Sequence, residues 1–217
     1  MLIYASLHNP GKVFWLKVTD NIDLIDGTMA NCYSLKSEAG EILIDAGTKG
    51  SAKKIISYYT GRGMKPVAVL ITHYHPDHVG GLREVSDAFH PQIYVPDAEM
   101  EVISGKKKMK PAPSMLSKVV AGIMKSAPVE GLKKASEMTL PGLTVVETPG
   151  HTPGSTSYYF EPDSALFVGD AVVIKNGQTA LNKGFTLDMK KAQESKKIIE
   201  AHPASMLLSG HSEPLRK

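Results

Sequence analysis

The stretch Val67-Ala68-Val69-Leu70-Ile71-Thr72-His73-Tyr74-His75-Pro76-Asp77-His78-Val79-Gly80-Gly81 decides how this chain folds. Its opening residues, Val67 to Ile71, form a continuous apolar run, the pattern of a strand buried on both faces. The polar residues that follow are of one chemical kind. His73, His75, Asp77 and His78 place four metal-ligand side chains within six residues. Pro76 restricts His75 to extended backbone, and Gly80 and Gly81 permit tight turns before the next helix. Neutral imidazole and carboxylate are ligands that zinc, iron and manganese accept. Three histidines and an aspartate are too many for one tetrahedral ion that must also hold a water. Two ions sharing them, ~3.5–4 Å apart as in two-metal hydrolytic sites, is the better arrangement.

Working outward, the residues before this run read as strands and turns. Val13 to Val18, Ile22 to Ile25, Asn31 to Leu35 and Glu41 to Asp45 are short β-forming segments with turn residues between them, the spacing of an antiparallel sheet. Ser51 to Tyr59 carries Ile55, Ile56 and Tyr59 at helical spacing. After the motif, a helix runs from Gly80 through Leu82, Val85 and Phe89, and Gln92 to Val95 is a strand. Helix and strand therefore alternate here, which predicts an α/β layer. Strands follow at Leu143 to Glu147, Ser155 to Phe160 and Ala165 to Val168, then a helix over Leu187 to Ala201 and a last strand over Met206 to Ser209. Two packed sheets with helices outside is the simplest architecture, as a single domain over residues 1–217.

Residues 105–135 stand apart. They carry Lys106, Lys107, Lys108, Lys110, Lys118, Lys125, Lys133 and Lys134, with an apolar stripe at Met115, Leu116, Val119, Val120, Ile123 and Met124. The segment reads as a basic helical insertion on the surface. Its lysines are a solvated face or an anion-attracting rim, and its stripe is helix core or a homodimer contact.

Composition excludes several classes. With 42% apolar residues the chain can bury a substantial core. Twenty-five Lys and Arg against 22 Asp and Glu leave a net charge of +3, which does not point to a nucleic-acid partner. Cys32 is the only cysteine, so neither a disulfide nor a thiolate zinc cluster is available. The first ten residues lack the basic start and apolar core of a signal peptide, and no apolar run approaches ~18 residues. The expectation is a cytoplasmic protein acting on a small-molecule substrate, with no membrane partner.

Three further ligand candidates follow predicted strands. His151 lies in Thr-Pro-Gly-His-Thr-Pro-Gly-Ser, Asp170 in Val-Gly-Asp, and His211 in Ser-Gly-His. Each has glycine immediately before it. Five of the eight histidines thus occupy such positions, whereas His8, His90 and His202 have no motif around them.

This ordered set, with Asp45-Ala-Gly47 before it, resembles the signature of the metallo-β-lactamase superfamily, and most closely its glyoxalase II-like hydrolases. The resemblance spans Asp45 to His211. It implies a four-layer αββα sandwich of two mixed sheets, with the metals at one sheet edge. It also implies that His73, His75 and His151 hold one ion, that Asp77, His78 and His211 hold the second, and that Asp170 bridges them. Asp45 would hydrogen-bond a ligand histidine and set its tautomer. The implied cofactors are two divalent ions, zinc first, with iron or manganese as alternatives. The implied activity is hydrolysis of an ester-type acyl compound, a thioester such as S-lactoylglutathione or a lactone, by a hydroxide between the metals, with Asp77 orienting it. Two other reactions fit similar ligands: persulfide oxidation at a single iron, and phosphodiester or nuclease cleavage.

Overall fold

The computed structural model describes residues 3–4, 15–112, 114 and 127–217. Within them the first sheet has eight strands in chain order: Ile3–Tyr4 (β1), Trp15–Lys17 (β2), Ile22–Ile25 (β3), Cys32–Ser37 (β4), Gly40–Ile44 (β5), Pro66–Leu70 (β6), Gln92–Val95 (β7) and Leu132–Lys134 (β8). β1 to β5 pair antiparallel, whereas β5 to β8 pair parallel. The switch coincides with the helices Ala52–Thr60 (α1), Pro76–Val79 (α2), Leu82–Phe89 (α3) and Met100–Ile103 (α4), since parallel neighbours need crossover connections. The second sheet is built from Leu143–Glu147 (β9), Thr156–Phe160 (β10), Ala165–Gly169 (β11), Met206–Ser209 (β14) and Leu215–Arg216 (β15), in the order β15-β14-β11-β10-β9. A hairpin of Val173–Lys175 (β12) and Gln178–Ala180 (β13) and the helix Met189–Ala201 (α5) complete the described elements.

Period-two alternation assigns each side chain to a layer. In β5, Ile42 and Ile44 face the second sheet while Leu43 faces the helices. In β6, Ala68 and Leu70 face the second sheet while Val69 faces outward. From the second sheet, Phe167 and Leu208 point into the shared layer, and Leu166 and Leu207 turn away toward Ile199 of α5. Ile55, Tyr59, Leu82 and Val85 of α1 and α3 cover the opposite face of the first sheet. Three apolar layers therefore separate helix, sheet, sheet and helix, and the fold is the αββα sandwich. No helix among the described residues is long and apolar enough to cross a membrane.

Polar contacts lock the register of the two sheets at one edge. The Tyr158 hydroxyl of β10 donates to the Ile71 carbonyl at 2.8 Å, and the Tyr33 hydroxyl of β4 donates to the Ser209 carbonyl at 3.0 Å. The Thr156 amide donates to the Thr72 carbonyl at 2.9 Å. The Asn31 side chain donates to the carbonyls of Ser209 and Ser212. Tyr158 is therefore a core residue, and Cys32 is likewise buried in β4.

The structure departs from the reading of residues 105–135 at the segment's end. Lys133 and Lys134 lie in strand β8, which pairs with β7 and brings Leu132 against the helix-side core. Pairing there satisfies the backbone at the sheet edge, which a helix could not do. Residues 104–112 hold turns and extended chain. The Met115 to Met124 stripe lies outside the described residues, as do His8, Val13 and Phe14. The β12–β13 hairpin was legible but unread: Asn176-Gly177 at its tip, both with positive φ, is a two-residue hairpin signal.

Phe167 is buried where the sheets meet, its ring packed edge-on against Tyr33 with centroids 5.4 Å apart. Phe167→Ala is expected to destabilise the protein by about 3–5 kcal/mol in urea unfolding. An unchanged midpoint would contradict this placement.

Candidate metal centre

Every candidate ligand lies just beyond the C-terminal end of a strand. Asp45 follows β5, the His73–His78 loop follows β6, His151 follows β9, Asp170 follows β11 and His211 follows β14. The packing of the two sheets gathers these five ends at one edge. His75 is extended, at φ −63 and ψ 144, and caps the one-turn helix α2 with Pro76 in its first turn. Gly80 and Gly81 serve close packing rather than turning, since their φ values of −63 and −92 suit any residue. A Cβ on Gly81 would lie 2.4 Å from the Ala46 carbonyl, so the motif loop can rest on the Asp45-Ala-Gly47 loop. The Ala46 amide donates to the His78 carbonyl across this contact at 2.7 Å. Before Asp170, a register shift between Phe167 and Gly169 bends β11 and re-aims the chain into the site.

Two groups of donors result. His73, His75, His151 and Asp170 form one; Asp77, His78 and His211 form the other, with the ligand atoms of each group within 4.8 Å of one another. In the first group His75 Nδ1 lies 3.0 Å from both His73 Nε2 and His151 Nε2. In the second, His211 Nε2 is 3.1 Å from Asp77 Oδ2, and His78 Nε2 is 4.0 Å from the same oxygen. Asp170 stands between them. Its Oδ1 is 3.5 Å from His78 Nε2, and its Oδ2 is 3.5 Å from His151 Nε2 and 3.4 Å from His211 Nε2.

Hydrogen bonds behind the ligands set their tautomers. Asp45, itself buried, accepts from the Thr72 amide and hydroxyl, each at 2.8 Å, and from His78 Nδ1 at 2.7 Å. Because a carboxylate only accepts, the Thr72 hydroxyl donates to it and accepts from His73 Nδ1, 3.1 Å away. Both histidines therefore turn Nε2 toward the site. His151 has no such partner among the described residues: its Nδ1 is buried without a hydrogen bond there.

The electrostatics divide the same way. Burial pushes His73 far below the ordinary histidine range, helped by the neighbouring imidazoles, and lowers His151 as well. Burial and His151 bring His75 down to about 3. Burial also acts against charge on His78, but the Asp45 and Asp170 carboxylates outweigh it and raise its pKa. The hydrogen bond to Asp77 raises His211. Burial opposes ionisation of Asp77 and Asp170, yet the surrounding imidazoles hold Asp77 down to about 2 and Asp170 well below the usual carboxylate range.

The residues fit divalent metal ions. His78 Nε2 and Asp170 Oδ1 are buried with no hydrogen-bond partner among the described residues, and they face each other. Orphaned buried polar atoms are rare unless something else completes them. The 3.0 Å spacing of the imidazole nitrogens approaches the roughly 3.3 Å separation that tetrahedral coordination at ~2.0–2.1 Å produces. The donors fall into two groups, with Asp170 between them.

The model of the Metallo-beta-lactamase superfamily matches residues 25–211, a span that takes in the whole ligand set. The chain belongs to this superfamily. "Probable metallo-hydrolase YflN" of Bacillus subtilis (strain 168) is 30% identical over 216 residues, covering 86% of this chain and 82% of that protein. A "Hydroxyacylglutathione hydrolase" of Methylobacillus flagellatus is 28% identical over 127 residues, which is 57% of this chain and 40% of the relative. Among solved structures, the BLEG-1 B3 metallo-β-lactamase superposes with a TM-score of 0.68 at 27% identity, covering 91% of this chain and 93% of that one. TTHA1623 in a di-iron-bound form gives a TM-score of 0.71 at 24% identity, covering 89% and 92%, a likeness of fold. The protein is a metallo-hydrolase of the metallo-β-lactamase superfamily.

The sequence did not single out Thr72 or Glu99, because neither has a ligand's spacing. Glu99 lies in a short turn after β7, is fully buried, and is held up at about 7 by burial although Thr152, Gly154 and Tyr74 all donate to it. Tyr74 packs its ring edge-on against His75, with centroids 5.4 Å apart, and its hydroxyl donates to the Lys110 carbonyl at 3.0 Å, tying the basic segment to the motif loop. His90 and His202 end helices α3 and α5 instead.

Asp45→Ala leaves His78 Nδ1 and the Thr72 donors without their acceptor. Metal affinity is expected to fall roughly 10- to 100-fold in chelator competition, with circular dichroism showing a folded protein. Unchanged affinity would remove Asp45 from the site's support.

Proposed function

We propose that this metallo-hydrolase cleaves an ester-type acyl compound, a thioester or a lactone, at a site for two divalent ions. The observation that carries the reading is the pair of donor groups with Asp170 between them. His73, His75 and His151 would hold one ion and Asp77, His78 and His211 the other, with Asp170 shared. Zinc suits the set first, and iron or manganese also accept imidazole and carboxylate. Bound there, such ions supply Lewis acidity and bring the pKa of water from ~15.7 to about 7, so that a nucleophile exists at neutral pH.

The chain's own residues do the rest. Asp77 is partly exposed and held ionised by His211 and His78, so its carboxylate can accept a hydrogen bond from the attacking water and orient it. No serine or cysteine nucleophile is needed, and Cys32 is buried in β4. His211 is the most exposed of the ligand candidates and borders a groove of about 300 Å³. Leu16, Val18, Leu24 and Met29 give that groove an apolar wall, and Met29 is 64% exposed. Such a wall suits the hydrocarbon part of an acyl substrate. The relatives named hydroxyacylglutathione hydrolase support the thioester class.

Two readings recede. Persulfide oxidation at a single iron would leave Asp77 and His211 unused, although they lie 3.1 Å apart at the same edge. For phosphodiester or nuclease cleavage, the net charge of +3 offers little attraction to a polyanion.

Elemental analysis together with rates on thioesters, lactones, persulfides and phosphodiesters tests the proposal. Two ions per chain and turnover of an acyl ester are expected; one iron per chain with oxygen uptake would overturn it. Asp77→Ala is expected to lower kcat on the best acyl substrate by roughly 100- to 10,000-fold, and full activity in that variant would reject the role given to Asp77. Met29→Ala should raise KM for apolar acyl groups by about 10-fold with kcat little changed.

A further inference from the structure

Glu99 is a buried acid that the chemistry above does not use. Among the described residues it has no ion-pair partner, and its carboxylate accepts from three donors. One carboxylate oxygen, Oε2, accepts from the Tyr74 amide at 2.6 Å. The other, Oε1, accepts from the Thr152 hydroxyl and, at 2.9 Å, from the Gly154 amide. Tyr74 sits between His73 and His75, and Thr152 immediately follows His151. The two oxygens of one side chain thus hold the two loops that carry the three histidines of the first ligand group. These loops come from different sheets, one after β6 and one after β9.

Close packing supports the same point. A Cβ on Gly154 would lie 2.7 Å from Glu99 Cγ, so the loop after His151 comes as near to Glu99 as a backbone without a side chain allows. Thr152 is fastened again by Ser155, whose Oγ accepts from the Thr152 amide at 2.9 Å and lies 2.7 Å from its hydroxyl. Glu99 is itself anchored by its amide, which donates to the Pro96 carbonyl at 2.9 Å.

We infer that Glu99 is a positioning residue for the three-histidine group: it sets the separation of His75 and His151 by bracing their loops against one carboxylate. The inference rests on the metal reading above. A carboxylate is required because both of its ends accept. Glutamine keeps the shape but has one accepting end, so its amide group must face either the Tyr74 amide or the Thr152–Gly154 pair as donor against donor. Among the described residues, Asp77, His78 and His211 make no hydrogen bond with Glu99, so the effect is expected to fall mainly on the first of the two ligand groups.

The test uses the full chain, stripped of metal and titrated with cobalt(II) and zinc(II) against a competing chelator, with thermal unfolding of the metal-free protein in parallel. Wild type is expected to take up two ions. Glu99→Gln is expected to lose roughly 10- to 100-fold in affinity at one of them, with an altered cobalt(II) visible spectrum, while the second binds as before. Thr152→Val removes one donor and should weaken the same ion to a lesser degree; Thr152→Ser keeps the hydroxyl and should restore it. If Glu99→Gln does not fold, the Thr152 pair decides the matter alone. Variants that lose thermal stability but bind both ions as wild type does, or that weaken both equally, would overturn the inference and leave the metal reading standing. A wild-type chain that takes up no ion would overturn both.

Discussion

Phe160, Phe167 and Leu208 from one sheet meet Leu35, Ile42 and Leu70 from the other, and the layer they form governs everything at the metal edge. The layer is apolar and buried, so the two sheets can slide against each other only by opening cavities. Five strand ends are thereby held in fixed relation, and the ligands they carry have little freedom of their own. The tyrosine hydroxyls of Tyr33 and Tyr158 and the amide of Asn31 add direction to a contact that apolar packing leaves directionless. They lie at the site edge, where small changes of register would matter most.

Three buried carboxylates support that edge in different ways. Asp45 gathers the Thr72 donors and His78, so one acid orients two histidines through two routes. Asp170 faces both donor groups and leaves one oxygen without a protein partner. Glu99 has no histidine contact and instead ties loops from separate sheets. Burying a charge is unfavourable unless something answers it. Here donors answer Asp45 and Glu99, and the remaining oxygen and nitrogen atoms around Asp170 converge as ligands to a cation would.

The same geometry explains the reach of the functional conclusion. Membership of the metallo-β-lactamase superfamily and a hydrolytic metal site follow from residues on strand ends that the fold holds rigidly. Beside the metal edge lies the groove at His211, lined from β2, β3 and the loops around Met29 and Ser212. β3 is fixed by its buried Ile22 and Ile25, whereas the Met29 and Ser212 segments of the groove are surface loops, where binding residues commonly sit.

Much of this was legible before any fold was known. The apolar run ending at Ile71 announced a doubly covered strand because both its faces are buried. The cluster from His73 to His78 announced metal because ligand type and spacing are local properties. The glycines before His151, Asp170 and His211 marked the other strand ends. Short elements escaped: α2 is a single turn inside the motif, and β8 pairs only because β7 offers it an edge. Glu99 escaped for a deeper reason, since nothing near it in the chain differs from an ordinary polar turn. Local chemistry, read along the chain, determined which residues could bind metal. Only the packing of one sheet on the other decided which of them meet, which acid stands behind each, and how closely the loops approach, because most of those are distances between residues 25 or more positions apart.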